Sequence, residues 1–388
     1  MNNPESCSNI GSKSPLSIGL LGPVYPYRGG IAQHTTMLHR ELNIRCRLLT
    51  VSFKRQYPAW LYPGGSDLDM KYIGYKEPGV SYIMDSLNPV TWLKTCRLFA
   101  KHSTKAVIMP WWTVFWTVCF GSVIKYLHQR NIKVLFLCHN VMDHESSAWK
   151  GILARRVLSR VQNFLVHTKN DAEKLKAINA EAKIIVHPHP VYKHFPVINE
   201  RPPRRARLEL LFFGFVRPYK GVDILLKTME LIKGEDVFLT IAGEWWGSDK
   251  AVRKVLHELT ISNKVEVIDR YLSEHETAEL FSRTDLVVLP YTSATVTGVI
   301  PLAYHYGKPV IVSDVGGLSD QVENGVTGRL VRPEDPYAMA EVIREFLLNP
   351  LLIPEDSIRR FVSGMTWESL SLSIIRFLEV LSKDEAGN

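Results

Sequence analysis

Three stretches of the chain put glycines or cations where an extended run gives way to a helix-forming one, the arrangement that binds phosphate. In LLGPVYPYRGGIAQH, Gly29 and Gly30 open a segment whose apolar positions Ile31, Met37, Leu38 and Leu42 recur at helical spacing. Glycine there lets a ligand approach backbone N–H groups, and a helix N-terminus favours negative charge. In FFGFVRPYKGVDILL, Gly214 ends an apolar run, and Arg217 and Lys220 precede a helix expected to begin near Gly221. Two cations beside a free helix N-terminus can neutralise a diphosphate. In SATVTGVIPLAYHYGKPVI, Thr297, Gly298 and Val299 would begin a third helix with its N–H groups facing the same place. Each stretch alone also reads as a tight turn or a solvated basic loop.

Other chemistries have less to stand on. Asp67-Leu68-Asp69 has the form of a metal-binding DxD, but it follows PGGS in what reads as a loop with nothing to fix it. His187, His189 and His194 sit among Pro188, Pro190 and Pro196 without a cysteine partner, which reads as linker rather than zinc site. No G-x-S-x-G or Walker motif is present. No metal and no cofactor is expected.

The elements that would position these residues alternate. Apolar runs at 17–22, 47–53, 106–110, 133–140 and 163–168, with a helical pattern at 30–42, form the rhythm of βαβ units. Residues 187–207 carry five prolines and no period, and a second alternation follows: runs at 208–214, 237–243, 264–269, 285–290 and 308–314, with helices near 222–233, 249–260, 274–283 and 298–306. The expected fold class is α/β, two Rossmann-like domains facing each other across a cleft, where ligands of open sheets bind. The divisions drawn are a disordered tail at 1–16, a first domain at 17–195, a linker at 196–207, a second domain at 208–365, and a terminal helix at 366–388. That last helix, with Trp367 at its head and Leu370, Leu372, Ile375, Phe377 and Leu378 near helical spacing, has two readings, a return to the first domain or a membrane-bound amphipathic helix.

Composition bounds the rest. A chain of 388 residues, 46% hydrophobic and 22% charged, is globular and long enough for two cores. Its 47 Lys and Arg exceed its 39 Asp and Glu, so the surface should attract anions. No nucleic-acid signature appears, and the basic cluster Arg201, Arg204, Arg205 and Arg207 reads as a solvated linker. The five scattered cysteines include no CxxC pair, and the N-terminus lacks a signal-peptide profile, so a cytoplasmic enzyme is expected. Residues 106–124 form an uncharged run of bilayer-spanning length, but Pro110 and flanking Lys105 and Lys125 favour a buried strand leading into a helix. Its tryptophans keep a membrane-surface role open.

The ordered motifs GGI, HNV, GxxRPYKG, TIAGE, DLVVLPY, G-x-P-VIVSDVGG and ENGVTGRLV, over about residues 17–380, resemble retaining GT-B glycosyltransferases of family 4. The resemblance implies a nucleoside-diphosphate-sugar donor, while the basic surface and aromatic-rich first domain suit a glycan or lipid-linked acceptor at the inner face of an anionic membrane, as in cell-surface polysaccharide or glycolipid assembly, with a soluble acceptor as the alternative. Carried over, Lys220 and Arg217 bind the donor diphosphate, Gly29 and Gly30 face it, His139 lies near the donor sugar, and Glu244 approaches the nucleotide. One departure stands out, because Ala294 and Leu302 occupy the places of the family's Glu-x7-Glu pair. Backbone groups with Thr295 or Thr297 would then hold the sugar and ribose. The alternatives are an unconventional sugar-phosphate donor or a non-catalytic nucleotide- or glycan-binding module.

Overall fold

The structure, a computed structural model, describes residues 14–58, 66–142, 148–198, 200–245 and 262–384. The expected helix at 249–260, Cys7 and residues 1–13 of the expected tail lie outside these. Residues 14–16 are not tail: they begin the first strand, where Ser14 pairs with Cys46.

Two all-parallel sheets carry the architecture. The first runs β3-β2-β1-β4-β5-β6-β7, built from β1 (Ser14–Leu21), β2 (Cys46–Arg55), β3 (Val80–Asp85), β4 (Ala106–Trp111), β5 (Lys133–Cys138), β6 (Asn163–Val166) and β7 (Lys183–Val186). The second runs β10-β9-β8-β11-β12-β13, from β8 (Leu208–Phe213), β9 (Val237–Ala242), β10 (Val265–Ile268), β11 (Leu286–Leu289), β12 (Val310–Ser313) and β13 (Gly328–Val331). Every residue of β4, β6, β11 and β12 is buried. Covered on both faces, such strands need unbroken apolar runs, and AVIMPW and LVVL supply them. In each sheet the strand order reverses beside the first strand, between β1 and β4 and between β8 and β11. Those switch points are where open parallel sheets leave a crevice at their carboxyl ends.

The described helices are α1 (Gly30–Arg45), α2 (Pro89–Lys101), α3 (Thr117–His128), α4 (Ala148–Leu158), α5 (Lys169–Ile178), α6 (Val222–Leu231), α7 (Glu274–Arg283), α8 (Val299–His305), α9 (Pro336–Leu348), α10 (Glu355–Phe361) and α11 (Trp367–Asp384). Their starts follow local chemistry. Asn88 and Asp335 cap helices that have proline in the first turn, and Ser273 and Glu276 form a reciprocal capping box on α7. The run at 106–124 folds as β4, a short 3₁₀ turn and α3, burying Trp111, Trp116 and Phe120. No helix among the described residues is long and apolar enough to cross a membrane.

Helix α11 packs on α1, β1 and β7, with Leu370, Ile374 and Leu378 buried. The stretch before it in space is not the open linker that its prolines suggest. Val191, Tyr192 and Phe195 are buried, Val191 N–H donates to Met365 O, and Trp367 Nε1 donates to Val191 O. The basic cluster is likewise engaged rather than solvated: Arg201 and Arg204 both pair with Asp285, and Arg205 pairs with Glu266.

Candidate functional site

A cavity of about 240 Å³, open to solvent, lies between the two sheets' carboxyl ends. Gly29, Gly30 and Gln33 line it from the start of α1, Gly214 and Lys220 from the loop after β8, Gly243 and Glu244 from the end of β9, and Thr297, Gly298 and Val299 from the start of α8.

Lys220 is the chemical centre of this wall. Pro218–Lys220 makes a 3₁₀ turn, and Gly221, at φ 65°, reverses the chain into α6. A Cβ on Gly221 would stand 2.0 Å from Pro290 O, so both the conformation and the space require glycine. The turn drives the Lys220 ammonium inward, 5.3 Å from the Tyr291 ring centroid, where it makes no ion pair with a described residue. Burial, and then the charge of Arg217, push its pKa down to about 7. A desolvated cation of that kind is held ready for an anion arriving through the cavity. Arg217 heads the same turn but does not line the cavity, so its influence on Lys220 is electrostatic.

The opposite wall is the glycine loop. Gly29 adopts φ 95° as the residue before α1, and no side chain caps that helix, which leaves its first N–H groups toward the cavity. The Asp67-Leu68-Asp69 segment, expected to hang loose, is fixed to this loop. Leu68 bridges to Tyr27, Arg28 N–H donates to Asp67 O at 3.0 Å, and Asp69 N–H donates to Pro26 O at 2.8 Å. From there it reaches across the cleft. Lys71 pairs with Glu274 at 2.6 Å, Tyr271 O–H donates to Asp69 at 3.3 Å, and Arg28 pairs with Glu244 at 3.0 Å. Glu274 holds the Lys71 pKa above the usual lysine range. Sequence reading missed Asp69, Lys71, Tyr271 and Glu274 as cavity residues, because their meeting is a tertiary event with no local signature.

Other predicted residues fall elsewhere. His139 is buried and does not line the cavity; its ring stands edge-on to His34 at 4.7 Å between centroids. His34 also contacts His167 at 5.2 Å, His189 at 5.1 Å and Trp367 at 4.8 Å, so four histidines from four segments form one buried cluster. Burial lowers all four pKa values, His139 to about 3 and His189 to about 4. Thr295 is buried too, its hydroxyl donating to Asn140 across the domain boundary rather than facing the cavity. Two of the N–H groups expected from the third stretch are spent, Thr297 N–H on the Gln321 side chain and Val299 N–H on Thr297 Oγ1, and α8 is only seven residues long. Ala294 is buried away from the cavity, whereas Leu302 presents an apolar surface to it. Among the described residues no three His, Cys, Asp or Glu side chains are arranged to hold a metal ion.

Two facing parallel-sheet domains with the site between them define the GT-B fold, the architecture of a large class of glycosyltransferases. Residues 207–349 match the family model described as glycosyl transferases group 1. Sucrose-phosphate synthase from Thermosynechococcus elongatus superposes with a TM-score of 0.75 at 18% identity, over 95% of this chain and 100% of that one. HepE from Anabaena, solved in complex with UDP, superposes with a TM-score of 0.70 at 15% identity, over 94% and 100%. In sequence, a D-inositol 3-phosphate glycosyltransferase from Streptomyces coelicolor is 28% identical over 260 residues, 58% of this chain and 57% of the relative. The chain spans about half the length of the curated relatives it matches.

Proposed function

We propose that the protein is a retaining glycosyltransferase that moves a sugar from a nucleoside-diphosphate-sugar to a hydroxyl of a glycan or lipid-linked acceptor. The observation that carries this reading is Lys220, a desolvated ammonium facing a cavity whose other wall is an uncapped helix N-terminus. That pairing suits a diphosphate spanning the two domains, and HepE, of the same fold, was solved with UDP. During reaction the sugar–phosphate bond would break as charge grows on the diphosphate, and Lys220 and the α1 N–H groups would stabilise it. The departing phosphate oxygen would take the acceptor proton on the same face, so the reaction needs neither a carboxylate base nor a metal. Arg217 would act by raising the local positive potential. Closure about residues 196–207 would exclude water. The site would lie in the cytoplasm, serving cell-surface polysaccharide or glycolipid assembly.

Leu302 at the cavity wall favours a second reading, a site for an unconventional sugar-phosphate donor or a binding module without turnover. A thermal-shift panel of UDP, GDP, ADP, CMP and dTDP, followed by turnover of the matching nucleotide sugar with and without EDTA, tests both. One nucleotide raising the midpoint by an amount lost in Lys220→Ala, with an α- or β-product matching the donor's configuration, supports the transferase. Nucleotide binding without transfer to any acceptor or to water would support the module. No shift with any nucleotide would remove the reading.

A further inference from the structure

Helices α2, α3 and α4 pack side by side on the first sheet, away from α1 and α11. Their charges are all of one sign. Helix α2 carries Lys94, Arg97 and Lys101, α3 carries Lys125, and α4 carries Lys150, Arg155 and Arg156; none of the three contains an aspartate or glutamate. At the chain's overall frequency of 39 Asp and Glu in 388 residues, helices of 13, 12 and 11 residues would carry about four. Arg130 and Arg160 follow directly on α3 and α4, and Arg160 reaches back to within 3.8 Å of the Cβ position of Gly121 on α3. Lys94, Arg97, Lys125, Arg155 and Arg156 form no ion pair with a described residue, in a molecule that pairs its cations freely elsewhere.

The same face exposes large apolar side chains. Val90 is 74% exposed, Val118 71%, Ile152 67% and Trp149 57%. Trp149 and Ile152 stand three residues apart, on one side of α4, with Arg155 and Arg156 on the following turn. A nucleic-acid surface would use the cations but leave Ile152, Val118 and Val90 unexplained. An anionic bilayer uses both, since phosphate headgroups meet Lys and Arg while tryptophan and aliphatic side chains enter the acyl boundary.

We infer that the α2–α3–α4 face docks the protein on an anionic lipid bilayer, with Trp149 and Ile152 as the inserted side chains and the Lys and Arg of the three helices as headgroup contacts. This deepens the lipid-linked half of the proposed function, because an acceptor anchored in that bilayer would be presented to the domain that docks. The docking itself stands on this face alone.

The experiment is co-sedimentation of the full chain with vesicles of phosphatidylcholine, with and without about one third phosphatidylglycerol. Binding to the anionic vesicles is expected, with little to the neutral ones and loss at raised salt. Arg155→Gln with Arg156→Gln should weaken it roughly 20- to 30-fold, from the worth of each cation near an anionic surface. Trp149→Ser with Ile152→Ser should weaken it at low salt as well, which a purely electrostatic contact would not show. All four positions are exposed, and an unchanged midpoint in a denaturant melt without ligand checks that the variants fold. Equal binding to neutral vesicles, no binding to either kind, or binding unchanged in both double variants would each overturn the inference. If vesicles bind and no nucleotide does, docking survives and the transferase reading fails; the reverse result removes docking alone.

Discussion

Replacing Lys220 by methionine should make the ligand-free protein more stable and unable to hold a nucleoside diphosphate. An exposed lysine titrates near 10.4, whereas burial and Arg217 bring Lys220 to about 7. Between those values the unfolded chain carries a proton that the folded one has lost, so stability rises with pH across that window. Below pH 7 both states are protonated and the full cost of burying the charge is present, on the order of 4 kcal/mol. Denaturant melts at pH 6 should therefore favour Lys220→Met by a few kcal/mol, with the advantage shrinking toward pH 10. Binding has the opposite sign. A bound diphosphate needs the ammonium charged, so wild-type affinity should fall about tenfold per pH unit above 7, while nucleotide binding takes up close to one proton at pH 8. Calorimetry in buffers of different ionisation enthalpy counts that proton. Wild-type affinity that stays level from pH 7 to 9, or a methionine variant less stable than wild type at pH 6, would refute the reasoning.

Two further outcomes follow from the same wall and its neighbours. Lys71→Ala removes one cross-cleft ion pair whose lysine is half exposed, so it should shift the closed-to-open balance only about 1.4- to fivefold, about 0.2–1 kcal/mol. Fluorophores on the two domains would report it, and added salt should open the wild type more than the variant. Gly221→Ala places a Cβ against Pro290 O at a positive φ and should cost on the order of 3 kcal/mol or more in a denaturant melt. Gly234→Ala, with open space around it, should stay within about 0.5 kcal/mol of wild type.

What the residues revealed in advance follows burial. The runs that became β4, β5, β8 and β11 were legible because strands covered on both faces must be apolar throughout. β3 and β7 were not, since VSYIMD and KIIV are only partly covered and carry weaker signals, although β10, an edge strand covered no better, was read from KVEVID. In the site, Lys220 and Gly29 lay beside glycine-marked strand ends, a local signal. His139 was placed by resemblance near the sugar, yet it sits with three other histidines off the cavity wall, a meeting of α1 and the ends of β5, β6 and β7 that no spacing announces. The aspartates of the 67–69 segment were set aside for lack of support, and the support came from Pro26, Tyr27 and Arg28, forty residues away in sequence.

The return of α11 to α1 and β1 ties the order of synthesis to the order of folding. Leu370, Ile374 and Leu378 roof over a strand, β1, and a helix, α1, that left the ribosome more than 300 residues earlier. At about 5–20 residues per second, that interval is some tens of seconds during which the part of the first sheet that lies under α11 has no cover of its own. The second sheet, contiguous in the chain from Leu208 to Val331, can meanwhile form without waiting. The half made first is thus completed last, and a cut between the two halves would leave the earlier one with its apolar face open to any neighbour.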